Sequence, residues 1–340
     1  MLNVALISGS WPPDLCGVGD YAQHVATAVK EQGVRVSCLG GPASAAPGGG
    51  LLLSKALNAG QFDLAHLQYP TVGFGRSLMP ALLPLLARGV PFVVTIHEFS
   101  TFKKVRRPWF LSFAHRVGAR IFTNERERTA FSCIMRPSRG EDFVIPIASN
   151  IGAGAPRQRI PNSVCNFGMI SPGKGVERFL DLAELHLNDP SYSFSLIGAI
   201  MPSFANYANG LAERAAALGV ETYLNLPERE VADLLASQEY AYLPFDDGAS
   251  LRRGSLMALQ QNGVLVLTTH SDQTPQAMRE TTIGVATPAA AYETLQKFRS
   301  NPQSLEDFRL HANRVSAPSW TEIGASHLKV YNQVLGRLQP

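Results

Sequence analysis

Apolar residues along this chain gather in short, nearly continuous runs, and the runs are separated by stretches with helical spacing. Leu2-Asn3-Val4-Ala5-Leu6-Ile7 is the first run and stops at Ser8-Gly9-Ser10, which predicts a strand buried on both faces that opens into a loop. Beyond it, Tyr21, Val25, Ala28 and Val29 share one helical face over 21–31, and Gly33 supplies a C-terminal stop. A strand over 34–39 completes a βαβ unit. The rhythm repeats with strands over 63–67, 91–96 and 120–123, a helix over 78–88 and a basic helix near 108–118. The glycine-rich patch 41–50 reads as a surface loop.

Periodicity lapses between Asn150 and Asn162, where Ile151-Gly152-Ala153-Gly154-Ala155-Pro156 reads as a linker. It then restarts with strands over 164–169, 193–197, 221–224, 240–245 and 264–268. Helices over 176–187, 206–218, 227–236 and 254–262 lie between them. Strands alternating with helices at this interval imply mostly parallel, doubly wound sheets, here two α/β domains in tandem. Such sheets bind ligands beyond the carboxyl ends of their strands, and two of them face to face would frame a cleft. A length of 340 residues suits that division.

Composition adds mainly exclusions. No window approaches the ~20 unbroken apolar residues of a membrane span. The N-terminal run lacks a basic leader and is followed by Asp14 and Asp20, so a cytosolic chain without a secretory signal is expected. The cysteines at 16, 38, 133 and 165 form no C-x-x-C pair and have no histidine at metal-ligand spacing. Reduced thiols are expected rather than a disulfide framework or a zinc site. Net charge is +3, but residues 101–140 hold ten Lys and Arg against two Glu.

Three loops after strands can carry chemistry. Ser8 to Tyr21 holds Gly17-Val18-Gly19 at the mouth of a helix, either a close approach for a ligand or a turn that only needs glycine. Ser171-Pro172-Gly173-Lys174-Gly175 sets an ammonium beside a helix N-terminus, suited to diphosphate, though a solvated turn would look the same. Asp246-Asp247-Gly248-Ala249-Ser250-Leu251-Arg252-Arg253-Gly254-Ser255 offers two guanidinium groups and two hydroxyls at another helix start. Paired arginines there can neutralise two phosphates without a metal, and the alternative is surface pairing of the aspartates with the arginines. His97-Glu98 ends a buried strand, as a functional pair or as a core histidine bonded to backbone. His24, His66, His115 and His270 read as ordinary structural histidines. The order of residues fits neither a Ser/His/Asp triad nor H-E-x-x-H.

Taken together, these loops resemble the retaining glycosyltransferases of family 4. The motifs are Pro12-Pro13 through Gly17-Val18-Gly19-Asp20-Tyr21, Thr95-Ile96-His97-Glu98-Phe99, Gly168 with Lys174-Gly175, Pro244 through Gly263-Val264-Leu265-Val266, and Ser319-Trp320-Thr321-Glu322-Ile323 leading to Tyr331. The resemblance implies the B-type architecture, two Rossmann-like doubly wound domains facing a central cleft. An acceptor-side domain would cover 1–152, a nucleotide-sugar domain 153–318, and a helix over 319–340 would return to the first. The catalytic set implied is His97, Glu98, Lys174 and Arg253. The donor nucleotide sugar would be held by Gly17, Val18, Gly19, Gly168, Ser171, Gly173, Lys174, Asp247, Gly248, Ser250, Leu251, Arg252, Arg253, Gly254 and Ser255. Aligned on Gly263, the family's two glutamates fall on Ser250 and Ala258, and Met169 stands where its arginine follows a glycine. The chain thus resembles a variant branch, similar to exopolysaccharide glucosyltransferases, in which Arg252 or Arg253 replaces that arginine.

The function implied is transfer of a hexose, glucose from UDP-glucose as the best match, to a glycan or lipid-linked acceptor in polysaccharide or glycoconjugate synthesis. No cofactor and no metal would be required, the nucleotide sugar being a co-substrate. The basic and aromatic residues over 102–120 read either as a solvated face or as a peripheral contact with an anionic membrane at the inner face of the cytoplasmic membrane. Nucleic acid is not an expected partner, because one basic helix without a recognised module is little evidence. The alternative function is a catalytically weak scaffold subunit of a polysaccharide assembly complex, suggested by the missing carboxylates at 250 and 258. A nicotinamide dehydrogenase would need the G-x-G-x-x-G fingerprint and a ribose acid, which are absent.

Overall fold

A computed structural model of the protein describes residues 1–59, 61–251, 253–272, 274–312 and 318–336. In chain order the elements are β1 (Asn3–Ser8), α1 (Gly17–Glu31), β2 (Arg35–Gly40), α2 (Pro47–Asn58), β3 (Leu64–Tyr69), α3 (Met79–Leu86), β4 (Phe92–Ile96), α4 (Leu111–His115), β5 (Ala119–Phe122), α5 (Glu125–Met135) and β6 (Glu141–Val144). There follow β7 (Ser163–Ile170), α6 (Val176–Leu185), β8 (Ser193–Ile200), α7 (Ala205–Ala217), β9 (Glu221–Leu224), α8 (Glu228–Ser237), β10 (Tyr240–Leu243) and α9 (Gly254–Gln261). The chain continues through β11 (Leu265–Thr268), α10 (Gln276–Thr281), β12 (Ile283–Gly284), α11 (Pro288–Ser300), α12 (Pro302–Ala312) and α13 (Trp320–Val334).

Two units divide the chain, one of Met1–Ala148 with the segment from Pro318 onward, the other Ser149–Ala317. The first holds a six-stranded parallel sheet in the order β2-β1-β3-β4-β5-β6. Alternation along its strands builds two cores. Ala5, Ile7, Ala65, Leu67, Phe92 and Val94 pack with α2, α3 and the aromatic residues Phe99, Phe110 and Phe113. On the opposite face Val4, Leu6, Leu64 and Val93 pack with Tyr21 and Val25 of α1 and with Ile323, Val330 and Tyr331 of α13. The start of α13 is a capping box: Ser319 Oγ accepts from Glu322 N (3.2 Å) while Ser319 N donates to Glu322 Oε2 (2.8 Å).

The second unit's sheet is also six-stranded and parallel, in the order β12-β11-β10-β7-β8-β9. Counted from β7, this is the 3-2-1-4-5-6 order of the dinucleotide-binding folds. Its cores are built by Val164, Leu196, Tyr242 and Leu267 against α6, α7 and α11, and by Cys165, Ile197, Ala241 and Val266 against α8 and α9.

Several elements depart from the sequence expectations. The patch 41–50 is not a loop throughout, since α2 begins at Pro47 and takes in Gly48, Gly49 and Gly50. A Cβ at Gly49 would lie 2.1 Å from the Ala43 carbonyl oxygen, and one at Gly50 2.5 Å from Met79 Cε. Close packing against the preceding 3₁₀ turn explains Gly49 and against α3 crowds Gly50, whereas Gly48 faces open space. The basic helix near 108–118 is a 3₁₀ segment, Lys104–Phe110, followed by the short α4. Pro108, inside that segment, cannot donate a backbone hydrogen bond. Helices α5 and α10 to α12 and strands β6 and β12 had no counterpart in the reading of the periodicity.

Candidate functional site

Strand β7 has β8 on one side and β10 on the other, so successive connections leave in opposite directions at β7/β10. Their loops diverge there and leave a crevice at the carboxyl ends of the two strands. Both cationic loops singled out in the sequence open at this point. After β7, Lys174 N donates to Ser171 O (3.3 Å), and Gly175, at φ +77°, caps α6. A Cβ at Gly175 would lie 2.2 Å from the Pro244 carbonyl oxygen, so glycine is what lets the two loops touch. Lys174 itself is half-buried.

A residue not singled out from the sequence fastens the loops together. Arg178, in the first turn of α6, donates to Pro244 O (2.6 Å) and forms an ion pair with Asp246. Its only signal in the sequence is a position one helical turn beyond Lys174. In the loop after β10, Arg253 forms an ion pair with Asp247 and stacks over the Phe245 ring, 4.2 Å from its centroid. Of the two aspartates, then, one pairs with a neighbouring arginine as the surface alternative would have it, and the other reaches Arg178. Burial lowers the Arg253 pKa from its usual value, and the field of Asp246 opposes that shift.

Gly168, Ser171, Gly173, Asp247, Gly248, Ser250, Leu251, Arg253, Gly254 and Ser255 all belong to these two strand ends and the start of α9. A Cβ at Gly168 would lie 3.5 Å from Ser255 Cβ, and one at Gly173 3.5 Å from Asp246 Oδ2. Arg252 lies outside the described residues. The loop after β11 joins them. Ala249 N donates to Thr269 O (2.8 Å), Thr274 Oγ1 donates to Ala249 O (2.7 Å), and Ser271 Oγ donates to Asp247 O (3.1 Å). Three buried polar atoms here have no protein partner: Ser250 Oγ, Arg253 Nε and Thr269 Oγ1. Each would cost about 1–3 kcal/mol if nothing bonded to it, so a polar ligand or ordered water is required to satisfy them. Thr269 and Ser271 were not read from the sequence, because only the β10/β11 pairing brings them beside Ser250.

In the first unit the strand order reverses between β1 and β3. The loops after those strands meet there: Gly9 N donates to Thr71 Oγ1 (3.1 Å) and Gly73 N to Ser10 Oγ (2.8 Å). Gly17 and Val18 begin α1, with Gly17 exposed, whereas Gly19 is buried beneath the Ser10 carbonyl. His97 follows β4 and is buried. Its Nε2 lies 3.0 Å from Gln68 Oε1, and the Tyr21 ring meets it edge-on at 5.0 Å. Burial, with the field of His327, lowers its pKa to about 3. Glu98 is exposed, and its carbonyl accepts from Thr101 Oγ1 (3.3 Å).

The basic stretch splits by environment. Lys103 and Lys104 are exposed beside Val105, whose exposure is 80%, and Arg106 lies between the Phe102 and Trp109 rings at 4.9 and 4.4 Å. Arg120, by contrast, is buried: its Nε pairs with Asp142 Oδ1 (2.5 Å) and its Nη atoms donate to the carbonyls of Phe113, Arg139 and Gly140. Its charge is spent inside the unit. Among the described residues, no His, Cys, Asp or Glu cluster is arranged to hold a metal, and no helix is long and apolar enough to cross a membrane.

No protein-family model matches the chain, and no curated protein matches its sequence. Solved structures do. The Anabaena protein HepE in complex with UDP and glucose is 15% identical, with a TM-score of 0.71 over 98% of this chain and 100% of that one. Sucrose-phosphate synthase from Thermosynechococcus elongatus is 14% identical, with a TM-score of 0.74 over 99% of this chain and 100% of its own. The catalytic domain of starch synthase IV from Arabidopsis thaliana, bound to ADP and acarbose, is 12% identical with a TM-score of 0.64, over 99% and 100%. The fold is therefore that of the GT-B glycosyltransferases. HepE has also been solved with UDP-glucose.

Proposed function

We propose that the chain is a retaining family-4 glycosyltransferase of a variant branch that transfers a hexose from a nucleotide sugar, glucose from UDP-glucose as the best match. The acceptor is a glycan or a lipid-linked saccharide in polysaccharide or glycoconjugate synthesis. One observation carries the reading: Ser250 Oγ, Arg253 Nε and Thr269 Oγ1 lie without protein partners in the loops after β10 and β11, and the β10 loop touches the loop that bears the glycine-bounded Lys174 at Gly175 and Pro244. Hydroxyls and cations at this place in a parallel sheet suit a nucleoside diphosphate. The UDP and UDP-glucose complexes of HepE support the choice of donor.

In this account Lys174 and Arg253 stabilise the negative charge that builds on the departing diphosphate, the largest electrostatic demand of the reaction. Phosphate oxygens take over the guanidinium face that Asp247 holds in their absence, and Asp247 is freed for a sugar hydroxyl. Gly168, Ser171, Gly173, Gly248, Leu251, Gly254 and Ser255 contribute backbone and small side chains to the same donor, with Arg252 a second cation. Gly17, Val18, Gly19, His97 and Glu98 serve the sugar and the acceptor. The leaving phosphate accepts the acceptor's proton on the face it departs from, so no protein nucleophile and no cofactor or metal is required. Lys103, Lys104, Val105 and Arg106 rest on an anionic membrane at its cytoplasmic side.

Stereochemistry tests the mechanism. Hydrolysis of UDP-glucose by the purified protein, followed by proton NMR, is expected to release the α-anomer of glucose first. First release of the β-anomer would contradict retention. The scaffold reading keeps one observation in its favour: Ala258, where the family has a glutamate, is buried in α9 and offers nothing to a ribose.

A further inference from the structure

The face of the first sheet that packs against α1 and α13 carries a polar chain in an otherwise apolar core. Along β3, His66 and Gln68 share this face with Leu64, and Thr95 of β4 stands opposite Gln68 in the register. His66, Gln68 and Thr95 are fully buried. With the Gln68 amide oriented as it stands, Oε1 towards His97 and Nε2 towards His66, the contacts take the following directions. Gln68 Oε1, an acceptor, lies 3.0 Å from His97 Nε2, so that nitrogen carries the proton. Gln68 Nε2, a donor, lies 3.1 Å from His66 Nε2, so His66 accepts there, and Thr95 Oγ1 at 2.7 Å shares the single lone pair of that nitrogen. The His66 proton is then on Nδ1, 2.7 Å from Tyr331 Oη. Farther along, His327 Nδ1 donates to Ile323 O (2.8 Å) and its Nε2 accepts from Tyr21 Oη (3.3 Å).

In this arrangement each of the three rings carries one proton, and burial favours the neutral form. We infer that Gln68 is a positioning residue that holds His97 in the Nε2–H tautomer, leaving Nδ1 with its lone pair to accept a hydroxyl hydrogen from the transferred sugar. The inference rests on the proposed role of His97 at that sugar. Chemistry gives the arrangement a purpose. A cationic imidazole would repel the oxocarbenium-like centre of the transition state, whereas a neutral acceptor orients the sugar without opposing its charge. Burial of His66, His97 and His327 keeps all three below their ordinary pKa. Gln68 is suited to the task because an amide presents one donor and one acceptor at opposite edges. Partners that fix the tautomer of a metal-ligating histidine are commonly worth 10- to 100-fold in activity, and a loss of that order is expected here.

Two measurements test it. Long-range proton–nitrogen NMR of histidine-labelled protein should show His97 protonated on Nε2 and bare on Nδ1. In Gln68→Met, of similar volume, its two nitrogen shifts should move towards each other as the second tautomer becomes populated. With UDP-glucose hydrolysis as the assay, Gln68→Met should lower kcat about 10- to 100-fold and change KM little. A wild-type His97 protonated on Nδ1 would overturn the inference, as would an unchanged pattern in Gln68→Met. A changed pattern with unchanged kcat would overturn it too. If His97→Ala then also left kcat unchanged, the fault would lie in the assigned role of His97 and not in the tautomer lock.

Discussion

Asp247 and Arg253 are ion-paired within a single loop, yet their exposures differ widely, 55% for the aspartate side chain and 13% for the arginine. The guanidinium sits over the Phe245 ring and is largely shielded from water, while the carboxylate that balances it reaches solvent. Such a pair presents a pre-desolvated cation whose partner a phosphate can displace. Arg253→Ala and Lys174→Ala are each expected to lower turnover about 100-fold or more, with the melting temperature within a few degrees of wild type. Steady-state kinetics with UDP-glucose checks this, and near-wild-type rates for both variants would remove the phosphate assignment. Arg253→Lys should recover little, since an ammonium neither stacks on Phe245 nor presents two parallel donors.

Gly175 is a more severe test of loop geometry than of charge. Alanine there would adopt a disfavoured backbone at φ +77° and bring its Cβ to 2.2 Å from the Pro244 carbonyl oxygen. A loss of about 1–3 kcal/mol in urea unfolding is expected, together with weaker nucleotide binding as the β7 and β10 loops part. Unchanged stability would mean that the two loops do not touch in solution.

Arg120 is predicted to matter for stability and not for any surface interaction. Removing it in Arg120→Ala leaves Asp142 with Ser132 Oγ alone (2.9 Å) and three carbonyls without this donor, a loss of about 3 kcal/mol by analogy with broken buried pairs. Denaturant melts would show it as a lower midpoint.

The exposed cations of the same stretch are expected to behave oppositely. Lys103→Glu with Lys104→Glu should abolish co-sedimentation with vesicles rich in phosphatidylglycerol while leaving the melting temperature unchanged. Wild-type binding should weaken as salt rises, because these charges are screened. Equal binding to neutral phosphatidylcholine vesicles would exclude the electrostatic contact.

A pH dependence follows from the buried histidines. His97 falls from 6.5 to about 3 and His327 from 6.5 to about 4 on folding, so the unfolded chain binds more protons as pH falls. Their stabilising contribution is present above about pH 6.5 and is lost as pH drops towards those folded values. By pH 5 each would have given up about 2 kcal/mol. His97→Asn should flatten the slope of unfolding free energy between pH 7.5 and pH 5, and an unaltered slope would contradict the shift.

The alternation of apolar runs and helical faces made ten of the twelve described strands legible, because parallel strands buried on two faces read as apolar runs; the two missed, β6 and β12, are short and partly exposed sheet edges. What it missed was local to packing. Gly48 to Gly50 read as a loop on propensity, whereas the close approach of the Ala43 carbonyl demands a glycine at 49 inside a helix. Arg120 counted as one more surface cation, because its partner Asp142 is set by the register of β5 on β6. The donor loops were visible as strand, glycine and cation in sequence. Arg178 and Thr269 were not, since their relevance depends on β10 lying between β7 and β11. Gln68 escaped for the same reason: only pairing of β3 with β4 carries it to His97.

The central claim, that the β7 and β10 loops hold a nucleoside diphosphate, is tested most directly by thermal shift with UDP, GDP, dTDP and ADP. A ligand that binds only the native state at 100 times its Kd adds about 2.7 kcal/mol. The account predicts a clear rise in melting temperature with UDP, abolished in Lys174→Ala. No rise with any of the four at millimolar concentration would contradict it and favour the scaffold.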